Sequence, residues 1–355
     1  MRFRVHSNYG TTGGHQSAHQ VGAAIRDMGY DSSMVYPPIG EEGNYRSPDA
    51  VVPLWRELYG LESFVAREEL EDEPDSVHLL PAGWGPNWWP VDPNSMSCLR
   101  AHGPDPYKSI KVLWWLGLGT WQNWDIGGWD RPMDLSHPNI PKLYHACQSR
   151  AAYDFIVSNT SLPPWQVFML HDYTHDFWLH SEIDLYRLIP SRRDVVLFNP
   201  VKGPEETRAI MEACSGDGID FRPITGMTRE QIREAGRSAK VYIDFGTHPG
   251  RDRIPREMAA CGCSVITGSD GTAACTEDVP LRTRKFARSD DAYDCLAVRE
   301  RILADVKYYP SALFDDEMVE YRRVIRQERS TVFAEVRNMV DTVAEHGRIH
   351  LRGWI

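Results

Sequence analysis

The chain has 355 residues, enough for two domains of ordinary size, and its 42% hydrophobic and 25% charged content is globular rather than disordered. With 39 Lys and Arg against 50 Asp and Glu, the net charge of −11 argues against broad sequence-independent binding to nucleic acid. There is no long apolar run and no secretory-type N-terminus, and seven Cys without zinc spacing fit reduced thiols, so a cytoplasmic protein with no membrane span is expected.

The first element reads as a strand over 3–6, followed by a glycine-rich loop over 8–14. A helix follows, because Ala18, Val21, Ile25 and Met28 recur at three- and four-residue steps and make one apolar face. Gly29 stops it, and 34–36 supplies a second strand before Pro37 and Pro38. This is the β-loop-α-β opening of a Rossmann-like layer. Six carboxylates within 68–75 form a solvated surface segment. Strands are expected over 77–80 and 110–116, the second of which, IKVLWWL, is apolar enough to lie inside a sheet.

Eight of the 12 tryptophans fall between Trp84 and Trp129. Trp114 and Trp115 belong to the apolar strand and read as core. Trp84, Trp88 and Trp89 lie in a loop rich in Pro, Gly and Asn, where no periodic face buries them. Rings in such a loop either contact an acceptor by stacking or pack between domains. A helix over 151–157 and a strand over 167–170 complete this half.

From 190 onward strands alternate with helices in short steps: strands at 195–198, 221–224, 241–243 and 264–267, helices at 204–214, from 228, and at 255–261. Thr228 with Gln231 three residues on is a capping box, and the last helix has proline in its first turn and Gly262 at its end. The chain then enters a long amphipathic helix, with Met318, Tyr321, Ile325, Val332, Val336, Met339 and Val343 on one face and Gly347 as its end. The expected organisation is a Rossmann-like domain over 1–190, a second over 191–315, and a terminal helix over 316–355 that packs back toward the first.

The chemistry concentrates in 242–278. A strand ends at Asp244, an irregular loop carries His248, Gly250, Arg251 and Arg253, and a helix starts near Pro255. Ligands of open α/β sheets bind at the carboxyl ends of strands, and a helix N-terminus there suits a phosphate. Two loop arginines add bidentate donors, unless they and Asp252 are only a surface charge cluster. Cys261 and Cys263 read as buried small hydrophobes.

PREMAACGCSVITG is similar to the Glu-Ala-Met-Ala-x-Gly-x-Pro-Val-Ile pattern of GT-B glycosyltransferases, matched from Glu257 through Ile266. NPVKG resembles their phosphate-binding Lys-Gly, and IKVLWWLGLGTWQN, LYHACQSRAAYDFI and LHDYTHDF resemble segments of a bacterial and phage-associated branch, with HPGRDRIPRE the most specific block. The resemblance implies a GT-B fold: two Rossmann-like domains facing a cleft, with the donor on the C-terminal one. It places Lys202 at the pyrophosphate and Glu257 on the ribose hydroxyls. The retaining members' first glutamate is replaced by Pro249, and the arginine that precedes Lys-Gly is absent, so retention and inversion both stay open.

The expected function is transfer of a sugar from a nucleotide sugar, a UDP- or GDP-sugar, to an acceptor hydroxyl of a glycan or cell-envelope saccharide. Negative charge grows on the β-phosphate as it leaves, and Lys202, Arg251, Arg253 and helix amides are placed to stabilise it. His248, Gly250, Gly268 and Thr272 would complete the donor site. Gly13 and Gly14 would allow close approach of backbone to ligand. His15, at the loop–helix junction, is the candidate base for inversion, with Asp172 and His175 as alternatives. No Asp-x-Asp occurs, so no metal or other cofactor is expected. Arg282, Arg284, Lys285 and Arg288 form a basic run that keeps a hydroxymethylated base of phage DNA as a second acceptor class. A nucleotide-sugar or glycan-binding module without turnover is the non-enzymatic alternative. A nicotinamide dehydrogenase is disfavoured by the missing G-x-G-x-x-G.

Overall fold

The computed structural model describes residues 1–7, 13–36, 48–60, 64–66, 75–81, 109–117, 143–159 and 162–352. The chain divides into two units: Met1–Tyr173 together with Arg329–Ile355, and Thr174–Glu328.

The first unit is built on β1 (Arg2–His6), β2 (Asp31–Tyr36), β3 (Phe64–Ala66), β4 (Ser76–Pro81), β5 (Ile110–Trp115), β6 (Leu143–Cys147) and β7 (Val167–Met169). They form one sheet in the order β3-β2-β1-β4-β5-β6-β7, and every neighbouring pair is parallel. β5 is buried along its whole length, as its continuous apolar run demands. Lys111 is tolerated inside it because Nζ donates to the Ser109 carbonyl at 3.0 Å and to its Oγ at 2.6 Å. Trp114 and Trp115 are core as expected, and their Nε1 groups donate to the Leu170 carbonyl at 2.8 Å and to His145 Nδ1 at 3.1 Å. Ala18, Val21 and Ile25 of the Gly13–Asp27 helix pack in the same core. Strand order reverses between β1 and β4, so the start of that helix lies at a topological switch point.

The second unit carries β8 (Arg193–Phe198), β9 (Asp220–Pro223), β10 (Ala239–Asp244), β11 (Ser264–Gly268) and β12 (Lys285–Phe286). They form a parallel sheet in the order β12-β11-β10-β8-β9. The reversal here falls between β8 and β10. The capping box is present: Thr228 Oγ1 accepts from Gln231 N, and Gln231 Oε1 accepts from Thr228 N at 2.8 Å. Cys261 and Cys263 are buried, and burial pushes both thiols up, the second to about 11.

The terminal helix spans Asp316–Arg352 and runs through Gly347, since a lone glycine costs a helix only about 1 kcal/mol and does not end it. Its seven apolar positions divide. Met318, Tyr321 and Ile325 join a core cluster of the second unit, whereas Val332, Val336, Met339 and Val343 join the core of the first. Among the described residues no helix is long and apolar enough to cross a membrane.

Candidate functional site

At the reversal between β8 and β10 two loops are pressed together backbone to backbone. Gly203 follows β8 with φ of 51°, and a Cβ on it would lie 2.5 Å from the Phe245 carbonyl oxygen. A Cβ on Gly246, which follows β10, would meet the Lys202 Cβ at 3.0 Å. Only glycines permit this approach, and it delivers Lys202 to the β10 loop. Lys202 Nζ lies 3.1 Å from Asp252 Oδ2 and 3.4 Å from Oδ1.

The helices Pro204–Ala213 and Arg253–Ala260 both begin at these loops. Asp252 is the N-cap of the second, yet its side chain makes no capping bond to that helix. It holds Lys202 and His248 instead, with His248 Nδ1 at 3.0 Å from Oδ2. His248 is 3% exposed, and its Nε2 faces Asp244 Oδ1 at 3.8 Å. Asp244, the last residue of β10, is also 3% exposed; it accepts from Tyr242 Oη at 3.0 Å and from Gly246 N at 3.2 Å. Burial raises the Asp244 carboxyl above its ordinary range. Burial opposes charge on His248, but its bond to Asp252 and the charge of Asp244 outweigh that and lift its pKa. Burial likewise opposes the Asp252 anion, and the donors His248 and Lys202 overcome it and lower that carboxyl. Asp244, His248 and Asp252 are also the group that could hold a cation among the described residues.

Arg251 turns to other carboxylates: Nη2 lies 2.9 Å from Glu328 Oε1, and Nε is 4.0 Å from Asp278. Arg256 Nη1 reaches Glu328 Oε2 at 3.0 Å. Gly250 and Glu257 are buried, and Arg253 is half-buried. Thr272 donates its amide to the His248 carbonyl at 2.8 Å, while its buried hydroxyl finds no partner among the described residues. Gly268 sits beneath Tyr293, whose Oη would be 2.2 Å from an added Cβ. It is therefore packed by protein rather than open to a ligand. His248, Asp252, Pro255, Thr267 and Tyr321 are among the residues lining a small cavity here.

The other predicted residues fall in the first unit. Gly13, Gly14 and His15 open the Gly13–Asp27 helix. Ser17 Oγ lies 2.8 Å from the Gly13 carbonyl and 3.1 Å from Oδ2 of the fully buried Asp172, so one hydroxyl joins the two candidate base regions. Burial holds His15 down to about 4, neutral at ordinary pH. Trp84, Trp88 and Trp89 lie outside the described residues. The basic run is not a free cationic surface. Arg284 is buried against Asp305, Asp315 and Glu317, and Arg288 is held by Glu206 and Asp270, each at 2.7 Å.

Sequence reasoning missed Asp244 as a site group, Ser17 and Glu328. The signal for Asp244 was present, as a carboxylate ending an apolar strand at a glycine loop. For Ser17 and Glu328 there was none beyond a polar residue on a helix.

Two parallel α/β sheets, each with a switch point, and a long C-terminal helix define the GT-B architecture. No protein-family model and no curated protein matches the sequence. Solved structures do. A mutant of TarM from S. aureus, in complex with fondaparinux, α-GlcNAc-glycerol and UDP, superimposes with a TM-score of 0.64 at 8% identity, covering 97% of this chain and 99% of that one. HepE from Anabaena, in complex with UDP, gives 0.60 at 10% identity over 97% and 100% of the two chains. A glycosyltransferase from Rickettsia africae gives 0.53 at 11% identity over 99% and 98%. At such identities the likeness establishes the fold.

Proposed function

We propose that the protein is a glycosyltransferase that moves a sugar from a nucleotide sugar, a UDP-sugar first, to a hydroxyl of a saccharide. The observation that carries this reading is the position of Lys202. It stands at the switch point of the second sheet, beside two helix N-termini, on loops that only glycines allow to meet. A diphosphate is the ligand such a place favours, through the Lys202 ammonium and the helix N-terminal amides. UDP is bound in two of the solved structures that share the fold.

As the bond from the sugar to the β-phosphate breaks, charge accumulates on the leaving oxygens. Lys202, exchanging Asp252 for phosphate, stabilises that charge more in the transition state than in the bound donor. Glu257 takes the ribose hydroxyls, as the resemblance implies. His15, neutral through burial, is the group of the first unit that would accept the acceptor's proton in an inverting transfer. A saccharide is favoured over a DNA base because Arg284 and Arg288, the core of the basic run, are already neutralised by carboxylates.

Thermal shift against UDP-, GDP-, TDP- and CMP-sugars tests the reading. One nucleotide should stabilise the protein selectively, and Lys202→Ala and Glu257→Gln should each abolish the shift. Release of nucleoside diphosphate in the presence of a saccharide mixture separates turnover from binding alone. No response to any donor, or wild-type shifts in both variants, would sink the proposal.

A further inference from the structure

We infer that Asp244 and His248 are the protein ligands of a divalent transition-metal ion, with Asp252 as the carboxylate that orients the histidine. Asp244 is a buried carboxylate whose hydrogen-bond donors are neutral, the Tyr242 hydroxyl and the Gly246 amide. Keeping a buried carboxylate ionised is costly without a cation in direct contact, and His248 Nε2 stands 3.8 Å off. His248 is equally buried, and its Nε2 has no hydrogen-bond partner among the described residues. The unpartnered Nε2 faces Asp244 Oδ1 across 3.8 Å. That separation is too long for a hydrogen bond. It is a span that a shared ion can fill, since two bonds of about 2.1 Å from imidazole nitrogen and carboxylate oxygen reach about 4.2 Å in line and about 3.8 Å at an angle near 130°.

The surroundings fit the same reading. A metal-bound histidine characteristically donates its other ring N–H to a carboxylate. His248 Nδ1 does so to Asp252 Oδ2 at 3.0 Å, which leaves the Nε2 lone pair toward Asp244. Asp252 Oδ2 also receives Lys202 Nζ at 3.1 Å, so this oxygen already holds two donors and the carboxylate orients rather than ligates. On the far side, Tyr242 Oη fixes Asp244 Oδ2. The mixed nitrogen and oxygen set suits Mn²⁺, Co²⁺ or Zn²⁺ better than Ca²⁺. With two protein ligands, the remaining positions belong to water or to a phosphate oxygen. Absence of Asp-x-Asp is no obstacle, because here a strand end and its loop present Asp-x-x-x-His. The ion site stands on its own geometry, whether or not the nearby diphosphate reading holds.

The test uses Mn²⁺ alone, with no nucleotide present. Full-length protein freed of metal by chelator is titrated with Mn²⁺ by calorimetry. A single site is expected, with Asp244→Asn and His248→Gln each weakening it at least tenfold and Asp252→Asn weakening it about 10- to 100-fold. Lys202→Ala should bind Mn²⁺ at least as well as wild type. Pulsed electron paramagnetic resonance of the wild-type complex should show coupling to one imidazole nitrogen, a readout that survives if a variant fails to fold. No Mn²⁺ or Zn²⁺ uptake, no nitrogen coupling, or unchanged binding in folded Asp244→Asn and His248→Gln would overturn the inference. UDP binding by the metal-free protein, measured separately, reports on the diphosphate site alone.

Discussion

Glu328, the last residue of the second unit, accepts the backbone amide of Thr174, its first, at 2.7 Å. Both passages of the chain out of that unit are therefore fastened to one carboxylate. The same carboxylate takes Arg251 at 2.9 Å and Arg256 at 3.0 Å, which carries the constraint into the loop and helix that follow β10. Glu328 is 4% exposed, Arg251 7% and Arg256 2%, so these pairs lie out of water. Removing one member leaves buried charge uncompensated, typically at about 3–5 kcal/mol. Glu328→Gln should lose stability on that scale in urea unfolding. Combining it with Arg256→Met should recover part of the loss, and a double variant no better than the single would deny the coupling.

Gly203 makes a sharper prediction about the loops that follow β8 and β10. Alanine there must adopt φ of 51° and place its Cβ 2.5 Å from a backbone oxygen. The left-handed conformation alone costs about 1–2 kcal/mol, and the clash forces the two loops apart. Gly226 has φ of 66° but nothing within 4 Å of an added Cβ, so Gly226→Ala isolates the conformational part. Gly203→Ala should destabilise more than Gly226→Ala and weaken UDP binding as well, whereas Gly226→Ala should leave UDP binding unchanged. Calorimetry with UDP and chemical unfolding read the two effects separately.

Lys202 and Asp252 should separate binding from stability in the opposite sense. Their pair is half-exposed, at 29% and 22% of the side chains, so its loss should cost less than about 1 kcal/mol. Lys202→Met should therefore unfold close to wild type while losing tenfold or more in UDP affinity. Equal losses in stability and affinity would mean that Lys202 holds the loops together and does not meet the phosphate.

What could be read in the sequence was whatever had a period or a cap. β5 announced itself by a continuous apolar run, the terminal helix by seven residues on one face, and the Arg229–Ser238 helix by Thr228 and Gln231. β3 and β12, of three and two residues, are too short to show a pattern, and β6, LYHAC, is buried at 144–147 but carries a histidine that interrupts its apolar run. The candidate site was legible as a place, since glycines, a strand end and a helix start mark it locally. Its wiring was not. Arg251 looked like a phosphate ligand because sequence cannot show that Glu328, 77 residues on, reaches it. Arg284 looked like an exposed cation, and Asp305, Asp315 and Glu317 surround it for the same reason.

The first unit should respond to acid through its buried histidines. Burial lowers His15 from 6.5 to about 4, and His19 and His145 from 6.5 to about 3. Each is neutral in the folded chain, while the unfolded chain binds their protons below about pH 6.5. The unfolded state thus gains protons that the folded state refuses, and stability must fall as pH drops from 6.5 toward 4 and 3. Above pH 6.5 their contribution is fully present. Each of the two most buried, His19 and His145, can steepen the fall by up to about 1.4 kcal/mol per pH unit inside its window. His145→Asn keeps an acceptor for the Trp115 indole N–H, which His145 Nδ1 now takes at 3.1 Å, but removes the titrating ring. Urea midpoints followed by tryptophan fluorescence should fall between pH 6.5 and 4 in the wild type and fall less steeply in His145→Asn. If the two proteins lose stability in parallel over that range, His145 is not among the groups that acid titrates on unfolding.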